Sequence, residues 1–175
     1  MRLRYRARQF WQALTTRLAP QTLEKAEVLL SPSQMLLFRG MQPSEQTHAL
    51  SMLAALQNQG EADPDLLVAA LLHDAGKQRC PLRLWERVVI VLVQAASPSL
   101  VRRWGEPPTG KCRGWRKPFS VAMQHAEWGA ALALEAGVSP LAAALIRRHP
   151  RPAPADSSLR EDILLRKLQA VDDNS

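Results

Sequence analysis

Alternation of apolar and polar residues, the mark of a half-buried β-strand, is missing from this 175-residue sequence, and so are internal repeats. That argues against sandwiches, barrels and solenoids. Cysteine is scarce. Cys80 and Cys112 fit neither a CxxC nor a zinc-type spacing, which reads as reduced thiols in a cytosolic protein. Long apolar runs are missing too. The longest, "VVIVLVQAA" at 88–96, falls short of the roughly 20 residues that cross a bilayer. It reads as a buried helix, with peripheral membrane contact as a lesser use. The opening "MRLRYRARQFWQALTTRL" has no acidic residue and no apolar stretch of the secretory kind. It reads as a solvated N-terminal helix anchored by Phe10 and Trp11, and its basic character also suits a membrane surface.

What is present is helix punctuation. Ser31-Pro32 starts a short helix through Phe38, and Pro43-Ser44 precedes "EQTHALSMLAALQNQG", which stops at Gly60. Asp63-Pro64 is an N-cap followed by proline, with Gly76 as the expected stop. "LRLWERVVIVLVQAA" follows, then a Gly-, Pro- and Lys/Arg-rich loop over 104–118. Pro118 opens a helix to Gly137, Ser139-Pro140 opens another halted by Pro150, and Ser158 with Glu161 matches a capping box before the last helix. The expectation is one all-α domain, a bundle of about six or seven helices. Residues 1–43 read as a helical extension packing on the core of 44–175, with a basic Trp- and Pro-rich insertion around 81–118.

Lysine and arginine number 23 against 16 acidic residues, for a net charge of +7 and a pI near 10.2. That favours anionic partners: phosphorylated small molecules, nucleic acid or an anionic membrane. "GEPPTGKC" at 105–112 comes close to a phosphate-cradling loop. It lacks the mechanism, since Pro107 and Pro108 have no N–H to donate and Cys112 stands where a hydroxyl must meet Mg²⁺.

The chemistry lies in four histidines: His48, His73, His125 and His149. Each falls in or at the end of an apolar helix. One alone reads as a satisfied core residue, but four such placements point to ligation. In "DLLVAALLHDAGK" His73 suits a helix C-terminus, whereas Asp74 runs against the helix dipole by roughly 0.3–1 kcal/mol. A buried carboxylate needs a cation. Lys77 is one candidate and a metal ion the other. "QAVDDNS" puts Asp172 and Asp173 at the end of the last apolar stripe in the same way. Imidazole and carboxylate together suit Mn, Fe, Co, Ni or Zn.

The order His48, then His73-Asp74 in "LLHDAGK", then Asp172 in "LQAVDD" resembles the HD-domain superfamily of metal-dependent phosphohydrolases. His125 in "QHAEWGA" and His149 in "IRRHP" make it similar to the dinuclear branch, H…HD…H…H…D. The resemblance spans about 44–173. It implies an HD-domain helical bundle over 44–175 holding two divalent transition metal ions. His48, His73, Asp74 and Asp172 would bind the first, and Asp74 would bridge to a second on His125 and His149. Asp173 is left to support Asp172. The implied activity is hydrolysis of a phosphoester or phosphoanhydride, with a metal-bridging hydroxide as nucleophile. Asp74 and Lys77 are the implied catalytic residues, and Lys77, Arg147 and Arg148 the implied contacts to an anionic, nucleotide-like substrate. No specific nucleic-acid partner is implied, and the expected location is the cytoplasm, with peripheral membrane contact allowed. The same ligands also occur in HD-type mixed-valent di-iron oxygenases, and the HD fold is also retained in non-catalytic signalling modules. The GYP motif of the cyclic-dinucleotide phosphodiesterases is absent.

Overall fold

The computed structural model describes residues 20–106 and 114–174. The expected N-terminal helix, the phosphate-loop look-alike from Pro107 onward and Cys112 lie outside the described residues. Nine α-helices and no strand occur among them: α1 Pro20–Leu29, α2 Pro32–Arg39, α3 Pro43–Asn58, α4 Pro64–Leu72, α5 Leu84–Ala96, α6 Pro98–Gly105, α7 Lys117–Glu135, α8 Pro140–Arg148 and α9 Arg160–Asp172. A 3₁₀ turn, Ala75–Arg79, follows α4. The all-α expectation holds. The punctuation did not single out α1 or α6, although Ser97-Pro98 has the same start signal used elsewhere.

α4 is the axis of the bundle. Leu66, Leu67, Ala69, Ala70, Leu71 and Leu72 are all buried, because α1, α2, α3, α8 and α9 surround it. A helix apolar on every side must be covered on every side. α3 supplies Leu50, Leu53 and Leu56 to the same core, and α9 supplies Leu164, Leu165 and Leu168. Ala26, Met35 and Phe38 join it from α1 and α2. The 3₁₀ turn packs on α7, which also lies against α8 and α6.

Three expectations change. The 88–96 run is not buried. Val88, Val91 and Leu92 are 41%, 53% and 54% exposed, and Glu86 is the only buried residue of α5. α5 sits at the margin of the bundle, against α6 and α7, and among the described residues no helix lies across from its apolar face. No helix among the described residues is long and apolar enough to cross a membrane. The capping box at Ser158 and Glu161 does not form. Leu159 is the N-cap of α9 without a side-chain bond, Ser157 Oγ donates to Asp162, and Glu161 is taken by Arg148. Finally, Cys80 is not a free thiol but is disulfide-bonded. Lys117 Nζ donates to Pro81 O at 2.7 Å, so the fold brings the start of α7 back beside Cys80. Sequence spacing does not show that return. The argument from cysteine for a reducing compartment therefore lapses.

Candidate metal centre

Two capped helices set the level of the site. Asp63 caps α4, its Oδ1 accepting from the N–H groups of Asp65 and Leu66. Ser139 caps α8, accepting from Ala142 N–H, and donates its own hydroxyl to Asp65. The two helices therefore start side by side. Each is nine residues long and ends in a histidine C-cap, His73 and His149. Equal rise per residue brings the two rings to the same height, with centroids 5.1 Å apart. The repeated spacing, Asp63-Pro64 to His73 and Ser139-Pro140 to His149, is legible in the sequence once both ends are compared. Arg160 ties α9 to Asp63 at 2.9 Å, and α9 ends on Asp172.

Asp74 is not on the helix proper. α4 stops at Leu72, and Asp74 has φ −94° and ψ 1°, leading into the 3₁₀ turn. The conflict with the α4 dipole is thus softened by a turn start. Gly76 is not the helix stop that the sequence suggested. It is a close-approach residue: a Cβ there would lie 1.9 Å from His125 O and 2.5 Å from Gly129 N. That contact seats the turn on α7 and brings Asp74 to His125.

All six predicted ligands converge. His48 Nε2 is 2.9 Å from Asp172 Oδ1, and His73 Nε2 is 3.5 Å from Asp74 Oδ2 and 3.9 Å from Asp172 Oδ1. His125 Nε2 is 3.7 Å from Asp74 Oδ1 and 3.2 Å from His149 Nε2. Donor atoms within 4.8 Å of one another form three overlapping sets: His48, His73 and Asp74; Asp74, His125 and His149; and His73, His149 and Asp172. Asp74 belongs to the first two, its oxygens directed to different histidines.

The tautomers are fixed by the helices. Nδ1 of His73 faces Ala70 O at 3.0 Å, that of His125 faces Val121 O at 2.9 Å, and that of His149 faces Ile146 O at 2.7 Å. A carbonyl has no proton to give, so each Nδ1 donates. Burial, then the Lys77 charge, lowers the His125 pKa to about 4. Burial, then the charges of His73 and His125, lowers that of His149 to about 3. Both rings are neutral at pH 7, with their single proton on Nδ1. Their Nε2 lone pairs therefore face each other at 3.2 Å with no proton between them. Neighbouring nitrogens on a tetrahedral ion with bonds of about 2.0–2.1 Å lie roughly 3.3 Å apart. The arrangement fits a metal, and the carbonyl bond on each far nitrogen is the usual support for a metal-binding imidazole.

Burial works to raise the pKa of Asp74, but the Lys77 charge and then the neighbouring histidines outweigh it and hold the carboxyl well below its usual range. Asp172 is also lowered; burial opposes the shift, and the His48 hydrogen bond and His73 charge produce it. Lys77 Nζ lies 2.6 Å from Asp74 Oδ2, so that ion pair exists.

Acid should therefore weaken the metal-free protein. Unfolded histidines take up protons near pH 6.5, whereas folded His125 and His149 do so only near 4 and 3. Across that window the unfolded chain binds more protons, so folding stability falls as pH falls. The expected loss is of the order of a few kcal/mol. Protonation of Asp74 and Asp172 adds to it at still lower pH. Melting of chelator-treated protein should show Tm declining from about pH 6.5 downward; a Tm constant between pH 7 and 4.5 would contradict neutral buried imidazoles.

The other predicted contacts separate. Arg147 pairs with Glu127 at 3.0 Å and lines a cavity beside the site. Arg148 pairs with Glu161 and Asp162, which joins α8 to α9. Asp173 is exposed at the end of α9. Glu45, which the sequence did not single out, is 4% exposed and lines the cavity with Lys77 and His125. It receives Arg87 at 2.7 Å, and burial raises its pKa. Its place three residues before His48, on the same face of α3, is the signal that could have found it. The chain matches no family model, no curated protein and no solved structure.

Proposed function

We propose that this chain is an HD-type metal-dependent phosphohydrolase, acting on a phosphoester or phosphoanhydride. The observation that carries the reading is the facing pair of unprotonated Nε2 atoms on His125 and His149, joined through Asp74 to His48, His73 and Asp172. A structural core of satisfied histidines gives no reason for two buried lone pairs to meet. Metal ions bound there supply a hydroxide at neutral pH and Lewis-acid stabilisation of a phosphoryl oxygen.

The chain's own residues do the rest. His73, Asp74, His48 and Asp172 hold one position, and Asp74, His125 and His149 the other. The Nδ1–H bonds to carbonyls keep the rings turned and their Nε2 atoms basic. Lys77 is paired with Asp74 and reaches the cavity, so its ammonium is placed to bind phosphoryl oxygens when metal charge satisfies Asp74. The net charge of +7 favours encounter with an anionic substrate.

The test is metal analysis of the purified protein, paired with phosphate release from mono-, di- and anhydride substrates in Mn, Co, Ni, Zn or Fe. Retained transition metal and hydrolysis abolished by chelator are expected. Protein that retains no metal and cleaves nothing in the panel would sink the proposal. Native iron with oxygen uptake would move the site to the oxygenase class.

A further inference from the structure

The cavity beside the metal centre has a volume of about 710 Å³, within the range of small-molecule sites. It reaches Lys77 and His125, both in the immediate surroundings of Asp74. Its walls divide by chemistry. Leu82, just before α5, with Ile90 and Val91 of α5, Val101 of α6 and Val121 and Met123 of α7, gives an aliphatic side. Among the described residues that line it there is no Trp, Phe or Tyr, and Gln94 and the neutral His125 are the uncharged side chains with hydrogen-bonding groups. Apart from the His125 imidazole, whose Nε2 faces His149 and Asp74, a nucleobase would find no ring among these residues to stack on and few groups to read its edge.

The cations divide as well. Arg87 is held by Glu45 and Gln42, and Arg147 by Glu127. Arg102 and Arg151 line the same cavity, are exposed, and have no acidic partner among the described residues. They come from different elements, α6 and the segment after α8. A guanidinium is suited to bidentate binding of phosphate oxygens. The cavity thus offers to one ligand two guanidiniums with no acidic partner among the described residues, a lysine and an aliphatic wall.

From this juxtaposition we infer that the substrate is an aliphatic phosphoester: a phosphate or diphosphate head held by Lys77, Arg102 and Arg151, and a hydrocarbon body laid against α5, α6 and α7. The inference rests on the phosphohydrolase reading and narrows its substrate from the nucleotide class.

Binding can be measured without turnover. Alkylphosphonates, whose C–P bond is not a hydrolysable ester, can be titrated calorimetrically into the protein in a chain-length series from ethyl to decyl. Affinity should rise roughly fourfold per methylene while the chain is still being buried. Val91→Asp, at a half-exposed wall position, should flatten that slope. Arg102→Gln with Arg151→Gln should lower affinity at every length by about tenfold or more and leave the slope unchanged. The same alkylphosphonates offered as monomers and within neutral vesicles separate a soluble ligand from a lipid. Saturable binding in either form supports the inference. Affinity independent of chain length, or a nucleoside monophosphate binding more tightly than decylphosphonate, overturns it. If the slope is flat while metal-loaded protein still releases phosphate from an aryl phosphate, only this inference falls. If the slope is present but no phosphate is ever released, the phosphohydrolase reading falls instead.

Discussion

Asp74→Asn should strip the protein of metal at both halves of the cluster. The carboxylate belongs to two of the three donor sets, with one oxygen toward His73 and the other toward His125. An amide keeps the shape and loses the charge, and its nitrogen is no ligand. Each affected position should lose at least about a hundredfold in affinity, more than a supporting residue contributes. After dialysis the variant should hold close to no metal and release no phosphate. His48→Ala is the informative comparison. His48 appears in one of the three sets, so the variant should keep roughly half of the wild-type metal. The folded state should survive Asp74→Asn. Lys77 is 31% exposed on its side chain, so its freed ammonium can turn to water, and the loss from the buried carboxylate should stay at about 1–3 kcal/mol. A variant that retains full metal content would remove Asp74 from the centre of the site.

Gly76→Ala should be nearly as damaging, although it changes no ligand. The added Cβ meets His125 O and Gly129 N, at 1.9 and 2.5 Å. Both are backbone atoms inside α7, so no side chain can swing aside. The 3₁₀ turn must lift, and Asp74 moves away from His125 with it. Overpacking of this kind costs typically 1–3 kcal/mol and occasionally more. For a chain of this size that is a Tm loss of about 2–12 °C. Metal affinity should fall at least about tenfold, because Asp74 and His125, which meet across this contact, belong to one candidate donor set. Gly60→Ala is the control. Gly60 has φ +79° with nothing within 4 Å of an added Cβ, so it should cost about 1 kcal/mol of backbone strain and leave metal binding intact. Wild-type Tm and metal content in Gly76→Ala would show that the turn is not seated as described.

Much of the fold can be read along the chain because it is written in local rules. Ser31-Pro32, Asp63-Pro64 and Ser139-Pro140 start helices where their cap chemistry says they should. The end of α9 is less local: Ser158 and Glu161 have the spacing of a capping box, yet Arg148 takes Glu161 from another helix. α5 is apolar enough to be buried, but among the described residues no helix packs over its outer face. Burial depends on a neighbour being there, and one strand of sequence does not carry that information.

The sequence by itself determined which residue types are available for chemistry, the order in which they occur, and the helices that present them. His48, His73, Asp74, His125, His149 and Asp172 can be picked out because histidines in apolar helices and carboxylates at helix ends are costly unless something compensates them. Only the tertiary structure decided that the six meet. Matched helix lengths from a shared cap bring His73 level with His149, a close approach at Gly76 brings Asp74 to His125, and α9 ends at His48. It also decided which cations are committed to partners and which face the cavity. Those distances arise from packing between segments up to 124 residues apart, where caps and periodicity have no reach.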